Sequence, residues 1–113
     1  MPGMTTPTLL TEALRREGVA DARTDALTIG MYATDAGIYR VPPRAVVFPR
    51  HTDEIEGTLA VARELGIPVT ARGAGTSCAG NAVGPGIVID TARHLGRVLE
   101  VDGDSATALV EAG

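Results

Sequence analysis

From Arg72 to Asn81 the chain reads Arg-Gly-Ala-Gly-Thr-Ser-Cys-Ala-Gly-Asn, with three glycines and two adjacent hydroxyl side chains. Little side-chain bulk covers the backbone in such a stretch. Bare N–H groups, short hydroxyls and a nearby arginine are what a diphosphate needs from a protein. Spacing alone leaves a second reading equally open. The run could be a plain connection between two strands that requires positive φ at its glycines.

Two familiar phosphate motifs fail here on single residues. A dinucleotide fingerprint G-x-G-x-x-G starting at Gly73 and Gly75 needs glycine at position 78, where Cys78 stands. It also needs a helix opening on the loop, and Gly80, Gly84, Pro85 and Gly86 forbid a long one. A P-loop through Gly75 and Gly80 would continue with Lys and a hydroxyl residue, but Asn81 and Ala82 follow.

Other chemistry-bearing residues have blander readings. Arg72 suits a phosphate oxygen or a ring carbonyl, or a structural ion pair with a nearby acid. Cys78 has no second cysteine to resolve it and reads as a small buried spacer. His51 and His94 lack metal-ligand partners at useful spacing and read as surface or capping residues. Asp53, Glu54 and Glu56 read as a solvated helix start. Tyr32 and Tyr39 read as core or interface packing. Asp35 is placed to cap Gly37 or to bind Arg40.

The elements that must position the loop are legible around it. Thr6-Pro7 starts a helix with Leu9, Leu10, Ala13 and Leu14 on one face and Gly18 beyond its end. Residues 24–33 suggest a second short helix capped by Thr24. Tyr32 to Pro43 reads as an irregular connection. Ala45 to Pro49 is a continuous apolar run, hence a buried strand. Thr52 is a candidate N-cap, followed by acids in the first turn. Ile55, Leu59, Ala62 and Leu65 recur at helical spacing until Gly66. Strands are expected at 67–72 and 86–90, on either side of the glycine-rich loop. Strand–helix–strand in this order predicts a parallel, right-handed βαβ unit. His94 and Leu95 fall in a short turn. Segments 97–101 and 107–110 flank Asp102-Gly103-Asp104 and read as an antiparallel hairpin. The fold class is therefore α+β, a small parallel sheet with helices followed by the start of an antiparallel sheet. Residues 1–40 read as a helical segment and 41–113 as the first part of a binding domain.

Composition narrows the class. The chain has 113 residues, 44% apolar and 21% charged, which suits one small globular domain. Its net charge of −4, with no basic run, argues against nucleic acid. All ten cations are arginine, which suits phosphate binding but is better explained by the base composition of the gene. One cysteine excludes an intrachain disulfide and points to a cytoplasmic setting. The N-terminus lacks the pattern of a signal peptide, and no apolar run approaches a membrane span. Residues 106–113 read as an apolar strand at which the chain stops. That suggests a piece of a longer protein, and an edge free to pair with a second copy.

Three motifs then combine. They are Pro49-Arg50-His51-Thr52-Asp53-Glu54-Ile55, the run from Gly66 through Ser77, and Gly84-Pro85-Gly86-Ile87-Val88-Ile89-Asp90. In order and spacing this resembles the FAD-linked oxidase family, typified by vanillyl-alcohol oxidase and p-cresol methylhydroxylase. Within it the chain is most similar to the D-lactate, glycolate and D-2-hydroxyglutarate dehydrogenase branch, and Tyr32 to Asp35 and Tyr39 to Pro42 share the likeness. The resemblance implies a PCMH-type FAD-binding domain and an oxidoreductase acting on a small 2-hydroxy acid. It implies that the amides of Gly73, Ala74, Gly75, Thr76 and Ser77 wrap the FAD diphosphate. The hydroxyls of Thr76 and Ser77 add donors, Gly80 and Asn81 continue the cradle, and Arg72 lies at its start. Ala74 stands where many relatives have glycine, which requires a negative φ. Family members with covalent flavin often carry histidine where Thr76 stands, so non-covalent FAD is expected. An iron–sulfur domain can follow in such proteins. Catalytic residues of the family are absent from this stretch. Two alternatives stay open: a same-fold reductase of the UDP-N-acetylenolpyruvoylglucosamine reductase type, and a non-enzymatic α/β module.

Overall fold

The computed structural model describes residues 6–113. The reading of the first five residues as no signal peptide lies outside them. The elements are α1 (Pro7–Arg16), β1 (Ala22–Arg23), α2 (Ala26–Met31), β2 (Ala45–Val47), α3 (Thr52–Leu65), β3 (Val69–Arg72), β4 (Ile87–Asp90), β5 (Val98–Asp102) and β6 (Thr107–Val110).

Four strands form one sheet in the order β1-β2-β4-β3, and β5 and β6 form a separate two-stranded sheet. β4 lies between β2 and β3 and pairs parallel with both. The expected parallel unit is present, with its two strands separated by the later one. β1 was not expected. It pairs antiparallel with β2 through Ala22 and Arg23, too short to leave a periodic signal.

The continuous apolar runs of β2 and β4 are buried throughout. Alternation sends Ala45, Val47, Ile87 and Ile89 to one face, where Leu10, Leu14 and Val19 meet Val61 and Ala62 of α3. Val46, Phe48 and Val88 face the other way, with Tyr32 and Ile29. Arginines complete this thinner layer: the guanidinium carbons of Arg93 and Arg23 lie 3.9 and 5.0 Å from the Phe48 ring centre.

Helix ends follow local chemistry, with corrections. Thr6 caps α1 through a 3.1 Å bond from the Leu9 amide, as its sequence predicts. The cap of α2 is Asp25 rather than Thr24, because the Asp25 carboxylate takes both the amide and the hydroxyl of Thr28. The cap of α3 is His51, one residue before the expected Thr52. Gly66 closes α3 with φ 65°. Leu9 and Leu59 are exposed, so the apolar faces of α1 and α3 are narrower than the periodicity suggests.

Glu54 is the clearest departure. It is buried, not solvated. Its carboxylate accepts the amides of Ala20 at 3.1 Å, His51 at 3.3 Å and Arg50. Burial alone would raise its pKa, but the amide bonds from Arg50, Ala20 and His51 outweigh it and hold it below the ordinary carboxylate value. A depressed folded pKa adds stability that is present above the unfolded value and lost as pH falls through the folded one. Glu54→Gln is therefore expected to cost about 1–3 kcal/mol at neutral pH. The cost should shrink below the ordinary carboxyl value of 4.5. Urea midpoints for parent and variant across acid pH check this, and a pH-independent gap contradicts it.

The hairpin forms as expected, with Asp102 opposite Thr107 and a register shift between Val98 and Glu100. Ala106, at φ 54°, is the one non-glycine residue with positive φ among those described. At the base, Arg97 and Glu111 form a forked pair at 2.6 and 2.9 Å. Every residue of both strands is exposed.

Candidate functional site

β3 and β4 are parallel neighbours, so residues 73–86 must carry the chain from the carboxyl end of β3 back to the amino end of β4. The ladder closes with the Thr91 amide on the Arg72 carbonyl at 2.9 Å. Beyond Arg72 the chain forms no helix or strand until Ile87. The loop thus leaves from the carboxyl end of a parallel strand, where open α/β sheets bind ligands.

Within the loop, Gly75 and Gly80 have φ of 72° and 78°, a conformation glycine adopts without strain. Ala74 is not among the positive-φ residues, so the Cβ it carries is compatible with its backbone. A Cβ at Gly73 would meet nothing within 4 Å. Among the described residues, the N–H groups from Gly73 through Cys78 reach no backbone or side-chain acceptor. Ser77 Oγ accepts the amides of Ala79 and Asn81, each at 3.2 Å, which leaves the hydroxyl proton free to donate outward. Thr76 and Asn81 are exposed. Successive free amides, two hydroxyls and no carboxylate in the turn form a donor set that fits a diphosphate.

Arg72 does something the sequence did not suggest. Its Nη1 donates to the Thr34 carbonyl at 2.8 Å and to the Ala82 carbonyl at 3.3 Å. Its guanidinium lies 4.8 Å from the centre of the Tyr32 ring. No acid pairs with it among the described residues. A Cβ at Gly75 would come within 2.5 Å of Arg72 Nη2, so the loop rests on the guanidinium.

The segment 33–41 braces the loop from the side. A bridge joins Thr34 and Arg40, and the Val41 amide bonds the Ala33 carbonyl at 2.8 Å. Asp35 caps the Gly37 amide at 2.8 Å, as expected, and also accepts the Ala82 amide at 3.4 Å. The Tyr39 ring lies against Gly80, where a Cβ would approach it to 2.8 Å.

Tyr32 is buried, and its hydroxyl donates to Asp90 Oδ2. Asp90 Oδ1 accepts the amides of Ala92 and Arg93 at 2.8 and 3.1 Å. Burial and this bond push the Tyr32 pKa to about 12. Asp90 is a residue that sequence reasoning left without a role. A charged side chain ending an otherwise apolar buried strand was the available signal.

Cys78 is exposed rather than buried, because the turn carries it outward. His51 and His94 meet no cluster able to hold a metal among the described residues. No helix among them is long and apolar enough to cross a membrane.

A model of the FAD binding domain family matches residues 43–113. D-2-hydroxyglutarate dehydrogenase of Escherichia coli (strain K12) is 37% identical over 97 residues, covering 83% of this chain and 9% of that protein. Glycolate oxidase subunit GlcD of Bacillus subtilis (strain 168) is 37% identical over 76 residues, covering 66% of this chain and 16% of its own length. The chain thus spans between 9% and 16% of these two relatives. Among solved structures, wild-type BBE-like 1 of Physcomitrella patens aligns with a TM-score of 0.69 at 20% identity, over 89% of this chain and 22% of that one. This last likeness concerns the fold, and it agrees with the expected α+β architecture.

Proposed function

Because this chain belongs to the FAD-binding domain family, we propose that its β3–β4 loop holds the diphosphate of FAD. The observation that carries this is the row of free amides from Gly73 to Cys78 at the carboxyl end of β3. The amides of Gly73, Ala74, Gly75, Thr76 and Ser77 donate to phosphate oxygens, with the Thr76 and Ser77 hydroxyls beside them. Gly80 and Asn81 extend the surface along which the cofactor lies. Thr76 offers no nucleophilic ring nitrogen, so attachment is non-covalent, and acid precipitation of the loaded protein releases all of its flavin.

For the whole protein we propose oxidation of a small 2-hydroxy acid to the 2-oxo acid, of the kind named in the relatives. The hydroxyl-bearing carbon gives up a hydride and the hydroxyl a proton. FAD, when bound, supplies the electron acceptor. This chain contributes binding and orientation of the diphosphate.

The test is a titration of the isotope-labelled chain with FAD and, separately, inorganic pyrophosphate, followed by amide NMR. Amides 73–78 are expected to shift with both ligands, more than any in the β5–β6 hairpin. The reading fails if those amides stay unmoved at millimolar FAD.

A further inference from the structure

The loop rests on side chains that converge from three segments of the chain. Arg72, Tyr32 and Asp90 form a continuous stack beneath it. Asp90 is fixed by two backbone amides and takes the Tyr32 hydroxyl proton in a hydrogen bond. The Tyr32 ring, set edge-on to Phe48 with centroids 5.6 Å apart, carries the Arg72 guanidinium on its face. The guanidinium ties Thr34, from the bracing segment, to Ala82, at the far end of the loop. Gly75 sits directly on it.

We propose that Arg72 is a positioning residue, held by Tyr32 and Asp90, that sets the curvature of the amide row rather than pairing with phosphate. This deepens the diphosphate reading and rests on it for the ligand, while the mechanical claim concerns the chain alone. A guanidinium suits the place, because while Nη1 donates to both carbonyls the rest of the group covers the Tyr32 ring and meets Gly75 with Nη2, Cζ and Nε. Lysine keeps the charge and a nitrogen donor but loses the planar surface on which Gly75 sits. Tyr32→Phe keeps the ring but releases it from Asp90, which its two backbone amides still hold.

Cys78 is the single cysteine, exposed within the loop, so a nitroxide attached there reports the loop's own mobility without further substitution. Arg72→Lys and Tyr32→Phe are each expected to sharpen the nitroxide spectrum while the far-UV dichroism of the folded chain is retained. On unlabelled protein, each is expected to weaken FAD on the order of tenfold. Spectra identical to the parent in both variants would overturn the positioning role, whether or not FAD binds. So would a loss of FAD affinity in Arg72→Lys alone with no spectral change, which would assign Arg72 to direct phosphate contact. Absence of FAD binding by the parent sinks the diphosphate reading separately, and the nitroxide spectra still decide the mechanical one.

Discussion

Gly86→Ala is expected to destabilise the chain by about 3 kcal/mol or more. A Cβ at Gly86 would stand 1.9 Å from the Pro68 carbonyl oxygen and 2.8 Å from its carbon. No real side chain tolerates that distance, and the obstacle is backbone. Nor can the backbone move freely. The same Pro68 oxygen accepts the Ile87 amide at 2.9 Å, and the Gly86 carbonyl accepts the Arg44 amide at 2.8 Å. Relief would require parting β3 from β4, the strand at the centre of the sheet. Gly84→Ala provides the comparison. Its Cβ would meet Thr70 Oγ1 at 2.1 Å, a side-chain atom that can rotate away. Its cost should be nearer 1 kcal/mol, in the ordinary range for a point change. Thermal unfolding should separate the two, with a drop of roughly 10–20 °C for Gly86→Ala. Equal drops would contradict the distinction between backbone and side-chain obstruction.

Gly73→Val is expected to do the opposite, sparing the fold and blocking the cofactor. Nothing lies within 4 Å of a Cβ built there, and φ at Gly73 is not in the left-handed region. Stability should stay within about 0.5 kcal/mol of the parent, as for a surface change. Branched methyl groups would nevertheless stand at the first of the free amides, where the proposed site needs a phosphate oxygen within hydrogen-bond distance. FAD affinity should fall on the order of a hundredfold, about 3 kcal/mol at 1.4 kcal/mol per decade. Amide NMR titrations of parent and variant measure it. An unchanged affinity would place the diphosphate elsewhere. Together the two glycines divide the loop region by role: Gly86 lets two strands meet, and Gly73 keeps a surface bare.

Much of the local architecture was readable because local chemistry governs it. Thr6-Pro7 and Gly66 set helix ends through hydrogen bonds and φ preferences within a few residues. The apolar runs at 45–47 and 87–89 declared strands buried on both faces, since only such strands can do without polar alternation. Beyond one-residue shifts of the α2 and α3 caps, the larger errors fall where the packed fold decides. Glu54 looked like any acid in a first helical turn, and the Ala20 amide, 34 residues away, helped draw it inward. Cys78 looked like a buried spacer because a small apolar residue carries no mark of its direction. β1 was missed because two residues have no period.

Arg72 shows the same division at the candidate site. Sequence by itself determined that residues 72–81 carry small residues and hydroxyls between two strands, because glycine content and apolar runs are properties of neighbours along the chain. Only the tertiary structure decided that the Arg72 guanidinium packs against Gly75 and ties Thr34 to Ala82. Its partners Tyr32, Thr34 and Ala82 come from segments that meet only once β4 has inserted between β2 and β3. A guanidinium goes where carbonyls and a ring face converge, and that convergence is a property of the packed sheet.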